Sequence, residues 1–146
     1  MFRRYGKKAG LLARAIEHQL TATPLSKLRA TDNLGADLRA LAEAYVETYE
    51  AHGDVVLRIM QEIPRHPEVR EAASSFLPNV QRMVQLVQHH QQQGHLSPEH
   101  PMQMLAAFIG PIATYLLFAR SGLNPDVPAF DIEAHVAGFL SGRALR

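Results

Sequence analysis

The chain contains no cysteine and no tryptophan, and aromatic residues make up only 7% of its 146 positions. Without cysteine there is no disulfide, no thiol nucleophile and no Cys-ligated zinc. An excess of either charge is also missing. Fifteen Lys and Arg stand against 14 Asp and Glu, a net charge of +1, whereas a nucleic-acid surface is basic. Arg3, Arg4, Lys7, Lys8 and Arg14 are the one local departure from that balance. The apolar stretch after Lys8 is cut by Arg14, Glu17 and His18, which excludes a secretory signal core. Absence of cysteine and of a signal together favour the cytoplasm.

Strand-length alternation of polar and apolar residues is absent, as are a glycine-rich phosphate loop and a His with an identifiable Ser partner. No enzyme mechanism assembles from these residues, and no cofactor is called for. Glu43, Glu47 and Glu50 read as a wet helix face rather than acid/base machinery. His89, His90, His95 and His100 cluster around Gly94. Adjacent helical residues point about 100° apart, so His89 and His90 do not share a face, and no carboxylate stands one turn away. The expectation is a solvated helix end, with no metal.

What is present is hydrophobic: 47% of the residues, recurring at three- and four-residue spacing. A chain this long hides roughly 68–70% of its unfolded surface, enough for one core. The pattern predicts an all-α fold. A first helix covers residues 7–20. A second, capped by Asp32 or Asn33, carries Leu38, Leu41, Ala42, Tyr45 and Tyr49 and ends at Gly53. A short third spans Val55 to Ile63, and Pro67 opens a further turn. The fourth starts at Ser74 or Ser75, buries Phe76, Val80, Met83, Val84 and Val87, and stops at Gly94.

Ser97 and Pro98 are expected to start a fifth helix that runs to Ala119, with a kink at Gly110 and Pro111. Met102 to Ala119 holds no charge but is interrupted by Gln103, Gly110, Pro111 and Thr114. That favours burial in a core or between subunits over a membrane span. Asp131 caps a last helix with Ile132, Val136, Phe139 and Leu140, part of whose surface Ala134, Ala137 and Gly138 keep flat, with Gly138 and Gly142 four apart. Two flat apolar surfaces in one chain predict a homodimer.

The opening Phe2-Arg3-Arg4-Tyr5-Gly6-Lys7-Lys8-Ala9-Gly10-Leu11-Leu12 resembles the end of the DNA-binding module of tetracycline-repressor-like (TetR) regulators. Phe2, Tyr5, Gly6, Lys8, Leu11 and Leu12 fit that family's two aromatics, Gly, Lys and Leu-Leu pair, while Lys7 stands where the family has a small polar residue and Ala9 where it has an acid. The layout that follows is similar to the family's regulatory domain: a helix ending in Gly, a long apolar helix, a loop and a short terminal helix. The resemblance implies an orthogonal bundle of six to seven helices, the last two building a dimeric four-helix bundle. Residues 1–6 are then a remnant of the DNA-binding module and 7–146 the regulatory domain, with Met1 inside the recognition helix. About forty residues of helix-turn-helix would precede Phe2, so this chain alone is not expected to bind an operator specifically.

On the same resemblance, Arg4, Tyr5, Lys7 and Lys8 are the DNA-phosphate candidates. Tyr45, Tyr49, Met60, Phe76, Val80, Met83, Phe108, Ile112 and Tyr115 would line a pocket for a small, largely apolar effector, with Arg58 or Arg82 adding polarity. Ala107, Pro111, Tyr115, Ile132, His135, Val136, Gly138, Phe139 and Gly142 would form the dimer interface. The implied function is that of a transcriptional repressor. A second reading stays open: a stand-alone helical binding protein that pairs with a full-length regulator.

Overall fold

The computed structural model describes residues 11, 23–67, 70, 77–124 and 126–145, without the side chains of residues 54–60. The predicted first helix, most of the turn at Pro67, the four DNA-phosphate candidates, Phe76 and the Met60 side chain lie outside the described residues. Those residues contain a 3-10 turn at Pro24–Lys27 and four α-helices: α1, Leu34–Glu62; α2, Leu77–Gln92; α3, Pro101–Arg120; and α4, Ile132–Arg143. They form no strand, only an isolated bridge between Leu96 and Ala144. The all-α class holds; the described residues contain four helices, in part because the predicted second and third helices are one and in part because the predicted first helix lies outside the described residues.

Asn33 starts α1 by accepting the Ala36 N–H on its Oδ1 at 3.0 Å. The helix then runs through Gly53, where a stop is predicted. Gly53 has a close neighbour instead of a turn: a Cβ there would come within 2.7 Å of Arg120 Nη1 and 3.1 Å of the Tyr49 ring. Its missing side chain is room for Arg120, whose guanidinium lies 5.3 Å from the Tyr49 ring centroid and donates to the Glu50 carbonyl. Asp54, just before the predicted third helix, therefore lies within the continuous helix. Glu43, Glu47 and Glu50 are exposed, the wet face expected of them.

α2 buries Met83 and Val87 as predicted, with Leu86 and His90 in the other deep places and Val80 and Val84 packed partly buried against the core. Its end is a Schellman cap: His95 N–H donates to the His90 carbonyl and Gly94 N–H to that of Gln91, with Gly94 at φ +76°.

α3 begins three residues later than predicted. His100 is its cap, accepting the Met102 N–H on Nδ1 at 3.2 Å, and Pro101 rather than Pro98 takes the first helical position. Ser97 is otherwise engaged. Its N–H donates to the Arg143 carbonyl beside the Leu96–Ala144 bridge, so the chain tail holds this stretch extended. Gly122, at φ +72°, follows the end of α3, and Asp131 caps α4 through the Ala134 N–H at 3.0 Å.

α1 is the central element. It packs against α4, α3, α2 and the 3-10 turn, while α2 also packs on α3. One core results, with Leu38, Leu41, Met104, Phe108 and Ile112 almost fully buried. Phe108 meets Phe139 edge to face, ring centroids 5.0 Å apart, which locks α4 to α3.

The Gly94 cap carries a measurable cost. Nothing stands near its missing side chain, so Gly94→Ala is limited by backbone strain alone and should lower stability by about 1 kcal/mol in urea unfolding. Gly94→Asn should recover part of that loss.

Candidate functional site

The inward side of α1 places Tyr45, Thr48 and Tyr49 in succession against the core. Tyr45 and Tyr49 stack with ring centroids 6.4 Å apart. Tyr49 is only 7% exposed, and among the described residues its hydroxyl has no hydrogen-bond partner; neither has the Thr48 Oγ1 of the preceding residue. Leaving a buried polar atom unpaired costs about 1–3 kcal/mol, so two on adjacent residues mark a place where something polar is due. Burial pushes the Tyr45 hydroxyl above its ordinary pKa, with Tyr49 adding to the effect. This end of the core is apolar, aromatic and provided with spare hydroxyls.

Several of the predicted pocket residues belong to the same core. Tyr49, Met83, Phe108 and Ile112 belong to one contiguous buried cluster, and Tyr45 and Val80 pack against it. Tyr115 does not join them. Its hydroxyl donates to the Pro128 carbonyl and its ring meets Phe130 edge-on at 5.3 Å, because it anchors the loop between α3 and α4. The described cavity, about 440 Å³, is lined by none of the nine pocket candidates, although Arg82 is on its wall.

A second polar node has no signature in the helical pattern. Asp37, one turn into α1, accepts the Thr31 N–H and hydroxyl, both at 2.7 Å, and faces His90 Nε2 at 2.7 Å. His90, expected in a solvated helix end, is fully buried. Its Nδ1 lies 3.0 Å from His95 Nδ1, and His89 Nε2 donates to the Thr31 carbonyl at 3.1 Å. The carboxylate fixes a proton on His90 Nε2, so one of the two facing Nδ1 atoms is donor and the other acceptor. The carboxylate absent along the helix is supplied across the fold. Among the described residues no group of three or more His, Asp or Glu is arranged to hold a metal ion.

A family model for the tetracyclin repressor-like C-terminal domain matches residues 28–130. The chain belongs to that family. A solved structure, of a protein with unknown function from Rhodococcus sp. RHA1, is similar to it with a TM-score of 0.69 and 21% identity, covering 94% of this chain and 73% of that one. At that identity the likeness shows the fold. No curated protein matches the chain.

In this tetracyclin repressor-like domain, the residues predicted for a dimer interface divide by exposure. Pro111, Gly138 and Gly142 are exposed, and Ala107, Tyr115, Ile132 and His135 are half-buried. Val136 and Phe139, at 4% and 6% exposure, belong to the chain's own core, since α4 turns that side toward Phe108. His135 leans the same way, its ring stacked on Phe108 at 4.9 Å and its Nε2 donating to the Phe108 carbonyl. The outward side of α4 is instead Ala134, Ala137, Gly138 and Ser141. α3 exposes Met102, Ala106, Pro111, Thr114, Leu117 and Phe118. That helix is long and apolar enough to cross a membrane by length and composition alone.

The Asp37 node sets a pH dependence. Burial by itself would raise the carboxyl's pKa, but hydrogen bonds from Thr31 and the contact with His90 outweigh it and hold Asp37 below its ordinary 3.8. A carboxylate depressed in the folded state stabilises it above the unfolded value, and that contribution is lost as pH falls through the folded value. Stability should therefore drop as pH is lowered below about 4, and the drop should shrink in Asp37→Ala. That variant should cost about 3–5 kcal/mol at neutral pH by urea unfolding, because it orphans His90.

Proposed function

We propose that this chain is the effector-binding and dimerising part of a cytoplasmic transcriptional regulator that acts as a repressor. The observation that carries the reading is the charge-free outer side of α3, Met102, Ala106, Pro111, Leu117 and Phe118, together with the exposed small residues of α4. An exposed apolar surface of this extent is best covered by an identical copy across a two-fold axis. It also favours a subunit contact over a membrane for α3, whose inner side is engaged in the core through Met104, Phe108 and Ile112.

The effector half of the proposal rests on the partnerless hydroxyls of Thr48 and Tyr49. A small apolar or aromatic molecule with one polar group would satisfy them and displace core contacts along α1 and α3. Ligand preference for one arrangement of the dimer then changes DNA affinity, and DNA changes ligand affinity by the same factor. Operator recognition belongs to a helix-turn-helix outside residues 7–146, and Arg4, Tyr5, Lys7 and Lys8 would assist at the phosphates. The proposal includes no catalysis and no cofactor.

Light scattering across concentration tests the assembly. The wild-type chain should be a dimer, and Ala106→Glu with Gly138→Glu should give a monomer with unchanged helical circular dichroism, since both positions are exposed in the single chain. A wild-type monomer at every concentration would remove the two-fold assembly and with it the repressor mechanism.

A further inference from the structure

The open cavity of about 440 Å³ lies away from the hydroxyl pair, between the stretch after the 3-10 turn and the outer face of α2. Arg29 comes from that stretch, and Gln81, Arg82 and Gln85 come from α2. Spacings of three and four residues put the α2 side chains on one face. The volume is within the range of small-molecule sites.

Two guanidinium groups line this one cavity, and neither forms an ion pair among the described residues. Arg82 is held in place by donating from Nη1 to the Ser26 carbonyl at 2.6 Å, which leaves its other N–H donors for a ligand. Arg29 makes a single long contact, 3.3 Å, to the Leu28 carbonyl. Two unneutralised cations in a concave surface raise the local concentration of anions, and a guanidinium fork matches a carboxylate. The rest of the wall is apolar: Leu28 is half-buried and Leu86 is 2% exposed, with Pro78 at the edge. A bare inorganic ion leaves that surface wet, whereas a short hydrocarbon tail covers it.

We infer that the cavity between Arg29 and Arg82 binds a small amphipathic carboxylate, its head on the two guanidinium groups and the Gln81 and Gln85 amides, its tail on Leu28 and Pro78. This is a second site, independent of the core effector site proposed above. It stands or falls without Thr48 and Tyr49.

The test is nuclear magnetic resonance on the isotope-labelled full chain, following the side-chain amides of Gln81 and Gln85 during titration with hexanoate. Saturable shifts with a Kd of about 1 mM are expected. Acetate, inorganic phosphate and hexan-1-ol should each bind about tenfold more weakly, since each lacks the tail or the charge. Arg29→Gln should weaken hexanoate by about tenfold. Arg29 is exposed and makes one weak contact, so this variant keeps the fold; Arg82→Gln, which also frees the Ser26 carbonyl, serves as the second variant. Hexanoate affinity unchanged in Arg29→Gln, hexan-1-ol or phosphate binding as well as hexanoate, or no saturable shift by about 10 mM hexanoate would each overturn the inference.

Discussion

A buried polar group must be paired, and the described fold is organised around where this chain meets that requirement and where it does not. At Asp37 it is met in full. One carboxylate on α1 gathers the Thr31 N–H, the Thr31 hydroxyl and the ring of His90, and so ties the loop before α1 and the end of α2 to one point. Through His90 the tie continues to His95, and from there the Leu145 N–H on the His95 carbonyl brings in the chain tail. At Thr48 and Tyr49, less than four turns along the same helix, the requirement is left open. A helix held firmly at one end and carrying unsatisfied hydroxyls further along is suited to transmit what a ligand does there.

The helices and several of their caps were legible in the sequence because they are local. Asn33, Gly94 and Asp131 act within one turn of their own positions, and the residue types at those sites suffice to identify them. Gly53 misled for a non-local reason: it has the signature of a stop, yet the helix continues because Arg120, 67 positions on, packs over it. Ser97 misled similarly, since a good cap residue was taken by pairing with Arg143 at the other end of the chain. The Asp37–His90 pair joins residues 53 positions apart, and no periodicity within either helix signals it.

Candidate sites followed the same division. Apolar spacing brought Tyr49, Met83, Phe108 and Ile112 into one cluster, because residues on the inner faces of neighbouring helices meet in any compact bundle. It failed for Tyr115, which shares a helix with Phe108 but uses its hydroxyl on the loop at Pro128. Val136 and Phe139, expected at an interface, are buried within the chain's own core, on a helix whose many small residues leave the buried face poorly marked. Family membership, resting on residues 28–130, gives these features a shared context without naming an effector.

The central claim is that the hydroxyl of Tyr49 serves a ligand and not the fold, and Tyr49→Phe in the ligand-free chain tests it most directly. An atom with no partner contributes nothing when removed, so the urea-unfolding free energy should be unchanged or higher in the variant. A loss of more than about 1 kcal/mol would show that the hydroxyl is already paired within the fold, and would contradict the account.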